Sequence, residues 1–326
     1  MTVSFLATSD FLYYTLHSMS AFEIPTHIFG AIMIILKTPK SMSSVKWEML
    51  NLHFWSALAD VFFSTLAIPF LVYPDLAGYP IGVLTSLGVD VVVQACMAVT
   101  IVGVMFMAML MVYENRYFQM SPDNLFWKKA RIPFHILNYT IGLTISIPFV
   151  FTVPDQGYAV PVIAARYPYT CYAPNTPFFV FSIDSLPFAI LITIVGSSEL
   201  FLIVTFLLLT IKVLSAKTKQ KQSSSRTLYL QKRFLFSLVT QTTIPVIVIF
   251  IPLVYLIFSM PLGYHNQVLN NFVFVFVALH GFCSTVVMLV VHQPYRMAIF
   301  KLVRYKGAMN PSQKTFVTSM NRMSVS

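Results

Sequence analysis

Ionisable side chains inside long apolar runs are the residues of this sequence best suited to do chemistry. Asp60 lies in the apolar run 50–72, and His280 lies in the run 269–291. A charged group in hydrocarbon is costly and usually faces a protein interior. We therefore expect Asp60 and His280 in a polar core at the centre of a helical bundle. Asp60 there either responds to sodium ions or protons, or is a buried polar contact that sets helix register.

The tetrapeptide Glu114, Asn115, Arg116 and Tyr117 directly follows another apolar run, 91–113. An arginine at this position can pair with the neighbouring carboxylate in one state and move into a gap between helices in another. Such an exchange is what a two-state switch requires, so we predict that the tetrapeptide is part of a conformational switch. Ordinary anchoring of a basic residue at the cytoplasmic face of a membrane is the alternative interpretation.

Two prolines and a short motif near the C-terminus are further candidates. Pro245 and Pro252 lie in one apolar run, where proline removes a backbone hydrogen bond and either forms a hinge or is simply accommodated by packing. Beyond the last run come Pro294, Tyr295 and Arg296. The following residues, 297–306, interleave apolar with basic side chains. This pattern predicts a short amphipathic helix on the inner leaflet.

The sequence shows neither a catalytic nor a metal-binding constellation. None of the seven histidines pairs with another at helical spacing, so we expect no catalytic residue, no bound metal and no cofactor. Cys96 and Cys171 are a candidate disulfide. Cys96 lies about 9 Å below Asp90 along a helix, whereas bridged Cα atoms lie within about 7 Å. The loop carrying Cys171 would therefore have to dip inward.

Ligand contacts are expected among polar groups in the outer halves of the helices. Each of these side chains is equally suited to packing or to the membrane interface. Because charged outer residues are few, a neutral or weakly polar small molecule is the expected ligand. The candidates are His17, Asp90, Tyr139 and Tyr264.

The elements that must position these residues are long apolar helices. The 326 residues are 57% hydrophobic and only 10% charged, whereas a soluble domain has about 25% charged residues. A helix needs about 20 apolar residues to cross a bilayer. The sequence predicts an all-α, integral membrane bundle of seven transmembrane helices. The predicted runs are 17–36, 50–72, 91–113, 132–153, 186–211, 234–260 and 269–291.

The basic residues predict the orientation of this bundle. Of the 21 Lys and Arg residues, 20 fall in alternate connections and the C-terminal tail, and Arg166 is the exception. Cytoplasmic loops hold the basic excess, so we predict an outside N-terminus and a cytoplasmic C-terminus. Residues 1–16 would be extracellular, 17–296 the seven-transmembrane domain, and 297–326 the amphipathic helix and cytoplasmic tail. Confinement of the charge to loops argues against a nucleic-acid partner.

Landmarks across nearly the whole chain resemble the nematode serpentine chemoreceptors, class H most closely. The resemblance implies a G-protein-coupled receptor at the plasma membrane of sensory-neuron cilia. Its partners would be a small-molecule odorant, a heterotrimeric G protein, membrane lipid and, as a further candidate, a second receptor copy. By the same resemblance, Arg116 corresponds to the arginine of the Asp-Arg-Tyr motif of rhodopsin-like receptors. The landmarks include Gly30, Lys37-Thr38-Pro39, residues 51–60, Pro69, residues 77–82, Glu114-Asn115-Arg116-Tyr117, His280-Gly281 and Pro294-Tyr295-Arg296.

A seven-helix ligand-gated ion channel of chemosensory type is the alternative function. Insect odorant receptors have that function but place their N-terminus inside the cell, whereas the basic residues here predict an outside N-terminus. A membrane enzyme or transporter is less favoured, because paired carboxylates, clustered histidines and internal repeats are all missing from the sequence.

Overall fold

The computed structural model describes residues 4–39, 42–167, 178–219 and 224–308, and the chain over these ranges is mainly helical. Seven long helices, α1 to α7, follow one another, and an eighth, α8, follows α7 directly. Three shorter helices, Val83–Ser86, Ile147–Val150 and Gln156–Arg166, lie in the connections. The long helices are α1 (Ser9–Lys37), α2 (Ser43–Val61), α3 (Val91–Met120), α4 (Leu125–Thr144), α5 (Leu186–Lys219), α6 (Ser225–Leu262), α7 (Gln267–Val291) and α8 (Gln293–Ala308).

Among the described residues, all the long helices from α1 to α7 except α2 are apolar and long enough to cross a membrane. The 25 residues of α7, at 1.5 Å each, span about 37 Å, more than the roughly 30 Å of the hydrocarbon core. Helix α2 is less apolar because it carries Lys46, Glu48 and Asp60. Helices α5 and α6 leave many apolar side chains exposed, as expected of helices that face lipid.

Helix bounds differ from the apolar runs at several places, and two of these lie at the end of the bundle where α1 begins. That end is named the outer end, and the opposite end the inner end. Helix α1 begins at Ser9, where the Thr8 hydroxyl accepts a hydrogen bond from the Phe11 N–H at 3.2 Å. Residues 9–16, expected in the outer segment, are therefore helical. Helix α2 ends in a π-helical turn, Phe62–Leu66, so the prediction of a span to residue 72 is wrong at its outer end. Pro69 accounts for this end, because proline disfavours helix in the preceding residue.

A small antiparallel sheet, which the all-α prediction did not include, covers the outer end of the bundle. Its strands are β1 (Pro69–Leu71), β2 (Leu76–Pro80) and β3 (Phe179–Ser182), in the order β1-β2-β3. Gly78 pairs with Leu71, and a Cβ there would lie 2.0 Å from the Phe70 carbonyl oxygen. Only glycine therefore permits this pairing.

Residues 154–184, in the connection between α4 and α5, supply part of this sheet. The described residues of this loop form the helix Gln156–Arg166 and strand β3. An ion pair of 2.9 Å between Arg166 and Asp75 joins that helix to the connection between β1 and β2. The loop, the sheet and the helix are thus one outer cap.

Helices α3 and α7 are the two central helices of the bundle. Helix α3 packs against α2, α4 and α5, and α7 packs against α1, α2 and α6. Gly103 of α3 faces Gly142 of α4 so closely that a Cβ on Gly103 would lie 3.0 Å from the Gly142 carbonyl oxygen. Small residues permit such close approach of helices inside a membrane.

Candidate ligand cavity and polar core

A cavity of about 350 Å³ lies beneath the outer cap. Leu76 and Tyr79 of β2 and Phe181 of β3 face it from the cap, and helices α3, α5, α6 and α7 supply walls. An engineered cavity of roughly 150 Å³ binds benzene. A small organic molecule about twice the size of benzene therefore fits inside.

The wall of the cavity is mostly apolar and rich in phenylalanine. Phe149, in the turn after α4, and Phe188 of α5 pack edge to face with ring centroids 4.3 Å apart. Besides Tyr73, Tyr79 and Cys96, three polar side chains of the described wall interrupt this surface: Gln94, Glu199 and His280. The Gln94 amide donates to the Val89 carbonyl oxygen at 2.9 Å, so it also holds the outer end of α3.

His280 forms part of the cavity floor and joins the cavity to a buried carboxylate. Its Nδ1 atom lies 2.9 Å from Oδ1 of Asp60, and its Nε2 atom lies 2.8 Å from Sδ of Met105. Asp60 is 0% exposed. The structure therefore brings together the two residues that the sequence placed in a polar core.

Asp60 also accepts hydrogen bonds from the backbone of α7. The N–H groups of Gly281 and Phe282 donate to its two carboxylate oxygens at 3.0 and 2.6 Å. A Cβ on Gly281 would lie 2.7–2.8 Å from the carboxylate atoms, so only glycine lets α7 approach this closely. Several donors on one carboxylate compensate for its removal from water.

Helix α1 adds a second layer to the polar core. Nε2 of His27 lies 3.1 Å from Asp60 Oδ2, and its Nδ1 lies 3.1 Å from the Thr285 hydroxyl. His53 of α2 bonds to the His27 carbonyl oxygen at 2.9 Å. Nearby, Glu23 is 1% exposed, and neither of its carboxylate oxygens has a hydrogen-bond partner among the described residues.

These α1 and α2 residues were not among the predicted site residues. Glu23, His27 and His53 are ionisable groups inside apolar runs, which is the same signal that singled out Asp60. Applying that signal to every run would have found them. Sequence spacing could not show that they meet, because Asp60 and Phe282 are 222 residues apart.

Glu114 lies in a dense network at the inner end of α3. Its carboxylate accepts from Trp127 Nε1 at 2.7 Å and Arg131 Nε at 3.0 Å, and lies 2.9 Å from His135 Nε2. Arg131 also donates to the Asn115 amide oxygen at 2.9 Å. The network ties α3 to α4.

Arg116 points elsewhere, so the expected pairing with its neighbouring carboxylate is absent from the described network. Its guanidinium lies 4.6 Å from the Phe234 ring centroid and donates to the Gln231 carbonyl oxygen at 3.4 Å. Residues two apart on a helix do not face each other, so Glu114 and Arg116 contact different helices. Arg116 thereby joins α3 to α6. Tyr117 accepts from Asn124 at 3.0 Å.

The motif after α7 joins three helices. Tyr295 is fully buried, and its hydroxyl lies 2.8 Å from the Thr38 hydroxyl at the end of α1. His292, just beyond α7, bonds to Gln241 of α6 at 2.9 Å, and burial lowers its pKa to about 4. Arg296 donates to the Val290 carbonyl oxygen at 3.2 Å, and Pro294 lies at the start of α8.

The four predicted ligand residues do not line the cavity in the described structure. His17 stacks on Tyr13 with ring centroids 4.2 Å apart, and Asp90 caps α3 by accepting from two backbone N–H groups. Tyr139 accepts from Asn51 near the inner end of α2, and Tyr264 is half-exposed between α6 and α7. Asp90 and Tyr264 thus lie at or beyond helix ends, and Tyr139 lies near the end of the bundle opposite the cavity.

The remaining predictions concern a hinge and a disulfide. Helix α6 is continuous through Pro245 and Pro252, so a hinge there stays a prediction. Cys171 lies outside the described residues, and its pairing with Cys96 likewise stays a prediction. Cys96 lies in the wall of the cavity.

A helical bundle that buries a charged core and exposes apolar faces on its outer helices defines a multi-pass membrane protein. A capped cavity above that core is the form of a binding site for a small molecule.

Sequence comparisons identify the family. The model described as "Serpentine type 7TM GPCR chemoreceptor Srh" matches residues 7–305. The chain is also similar to "Serpentine receptor class H-72" of Caenorhabditis elegans, at 27% identity over 309 residues, which cover 90% of this chain and 86% of that protein. The chain belongs to the Srh family of seven-transmembrane serpentine chemoreceptors. The predicted class H resemblance and seven-helix fold are thereby confirmed.

Proposed function

We propose that this chain is a chemosensory receptor that binds an external small molecule in the capped cavity and activates a heterotrimeric G protein. The observation that carries the proposal is the position of His280. This residue faces the cavity and bonds to Asp60, which holds α1, α2 and α7 together. A ligand that displaces the imidazole changes the contacts among three helices at once.

The inner end of the bundle supports the second half of the proposal. Arg116 joins α3 to α6 through Phe234 and the Gln231 carbonyl oxygen. Both contacts are weak compared with the bonds around Glu114, and besides them the Tyr113 hydroxyl of α3 bonds to the Thr242 hydroxyl of α6. Separation of α6 from α3 therefore requires the Tyr113–Thr242 bond to break as well, while the Glu114 network keeps α3 attached to α4. A cleft opened in this way would expose Arg116 to a G protein. Bending of α6 at Pro245 or Pro252 would permit that movement.

Orientation and location belong to the same proposal. The concentration of basic residues at one side supports an outside N-terminus and a cytoplasmic C-terminus. The outer cap and the cavity would then face the environment, and Arg116 and α8 would face the cytoplasm. A receptor of this family would act at the plasma membrane of sensory-neuron cilia.

The cavity is tested by filling it. Ala98 of α3 lines the cavity, whereas Val93 on the same helix is 49% exposed and does not line it in the described structure. In cells carrying a calcium reporter and exposed to a panel of volatiles, Ala98→Phe should abolish the response. Val93→Phe is the matched control and should preserve it. A full response from Ala98→Phe at equal surface expression would contradict binding in the cavity.

G-protein coupling is tested separately at the inner end. Arg116→Ala should abolish the response while surface expression persists, because it removes the contact that changes between states. Lys129→Ala is the matched control, since Lys129 is an exposed cation at the same end. A response that persists when G proteins are blocked would contradict coupling and favour a channel. Tags at both termini, stained on intact cells, test the orientation.

A further inference from the structure

Glu199 is the one acidic side chain that the described wall presents to the cavity. It belongs to a stripe of buried residues along α5 that also contains Phe206, Thr210 and Leu214. The spacing of seven and four residues keeps this stripe on one side of the helix. Ile192, Val195 and Gly196, on the preceding turns, also line the cavity. Glu199 therefore lies where the inward side of α5 meets the cavity.

The Glu199 carboxyl group lacks the partners that its burial calls for. The side chain is 4% exposed, and its Oε2 atom has no hydrogen-bond partner in the described structure. Asp60 and Glu114, which are also buried, each accept several hydrogen bonds. A buried carboxylate without donors is unfavourable, so a ligand that supplies a donor gains affinity.

The rest of the wall favours a cation over an anion. None of the described residues that line the cavity is a lysine or an arginine, and the one basic side chain there, His280, already pairs with Asp60. An anionic ligand would therefore be buried without a free counter-charge. Aromatic rings, by contrast, attract cations through their faces. Seven phenylalanines from the bundle and its cap share this wall: Phe62, Phe63, Phe106, Phe149, Phe181, Phe188 and Phe274.

We propose that the cavity selects small amines, with the protonated nitrogen on Glu199 and the hydrocarbon body among the phenylalanine rings. This inference rests on the proposed function and narrows its ligand, which the sequence alone predicted to be neutral or weakly polar. The cavity of about 350 Å³ accommodates a ring or chain with a short amino-bearing arm.

The proposal is tested without any G protein by measuring how matched ligands bind to the purified full-length protein in lipid nanodiscs. An aromatic series uses 2-phenylethylamine, 2-phenylethanol, ethylbenzene and phenylacetate, and an aliphatic series uses hexylamine, hexanol, hexane and hexanoate. Affinity is measured from the rise in melting temperature of the protein as each ligand is titrated. In at least one series the amine should bind about 10- to 100-fold more tightly than the alcohol, as expected for a charge-assisted hydrogen bond.

Two variants test whether the preference for amines depends on Glu199. Glu199→Gln should bring the amine within about threefold of the alcohol, since it removes the charge but keeps the side-chain shape. Its binding of ethylbenzene or hexane should be unchanged, which shows that the cavity is intact. Asp90→Asn is the control, because Asn also caps helices well, and it should retain the full preference for amines.

The outcomes separate this inference from the proposed function. Equal binding of amine, alcohol and hydrocarbon, or an amine preference that survives Glu199→Gln, would overturn the amine proposal and leave the cavity as a binding site. Tightest binding of an acid would also overturn it. Failure of every compound to bind the wild-type protein would contradict both the inference and the cavity.

Discussion

Substitution Gly281→Ala tests the geometry of the polar core most directly. The new Cβ would lie 2.7 Å from Oδ2 of Asp60 and 2.8 Å from Cγ and Oδ1. The contact meets the middle of a buried carboxylate held by two helices, so α7 or Asp60 must move. Overpacking in a core costs about 1–3 kcal/mol, and losing a hydrogen bond to a charged group costs about 1.5–3 kcal/mol. We expect a stability loss of about 3–6 kcal/mol.

Gly196→Ala is the matched control for this change. Gly196 also lies within a membrane helix, but a Cβ there meets nothing within 4 Å. Alanine has the higher helix propensity by about 1 kcal/mol, so this variant should be at least as stable as the wild type. The two variants thus carry the same chemical change, but we expect opposite effects on the free energy of unfolding.

Thermal unfolding of the purified protein in detergent, followed by size-exclusion fluorescence, measures both variants. At about 2 °C per kcal/mol for a chain of this length, Gly281→Ala should lower the melting temperature by about 6–12 °C. It should also weaken the ligand response, because the Asp60 bonds to α7 are lost. A Gly281→Ala protein as stable as Gly196→Ala would refute the close packing of α7 on Asp60.

Three further predictions concern other parts of the molecule. Burial lowers the pKa of His292 to about 4, so as the pH falls the unfolded chain binds a proton at this residue before the folded chain does. The free energy of unfolding should therefore fall by up to about 1.4 kcal/mol per pH unit as the pH drops from about 6.5 to 4. His292→Gln should flatten that part of a melting-temperature profile. Trp127→Phe keeps an aromatic ring, although a smaller one, and removes the 2.7 Å bond to Glu114. Chemical denaturation should show a loss of at least about 1.5–3 kcal/mol, and no loss would contradict the bond. Arg166→Ala breaks the pair with Asp75, but the arginine side chain is 48% exposed, so the same assay should show about 1 kcal/mol or less.

The predicted site residues show where sequence reasoning succeeds. Asp60 and His280 were placed in the bundle interior because a charge in hydrocarbon must find partners, and this argument needs no knowledge of the contacts. The same argument covers Glu23, His27 and His53, which were passed over. The structure adds which atoms meet, such as His280 Nδ1 and Asp60 Oδ1 at 2.9 Å.

The cavity could not be found in this way. Its wall combines residues from α3, α5, α6, α7 and the outer cap, and most of them are ordinary apolar residues of membrane helices. Hydropathy does not distinguish a phenylalanine that faces lipid from one that faces a cavity. The difference depends on how each helix is rotated about its axis, which only packing decides. His17, Asp90, Tyr139 and Tyr264 do not line the cavity in the described structure, so their contact with a ligand stays a prediction.

By itself, the sequence determined the membrane environment, the helical class, the approximate spans and the presence of a charged interior. Those properties follow from the composition of continuous segments, because each helix satisfies its own backbone hydrogen bonds in lipid. The tertiary structure alone decided the pairing of β2 with β3, the separate partners of Glu114 and Arg116, and the place of Glu199 in the cavity wall. Each of these depends on contacts between segments far apart in the chain, which no local pattern records.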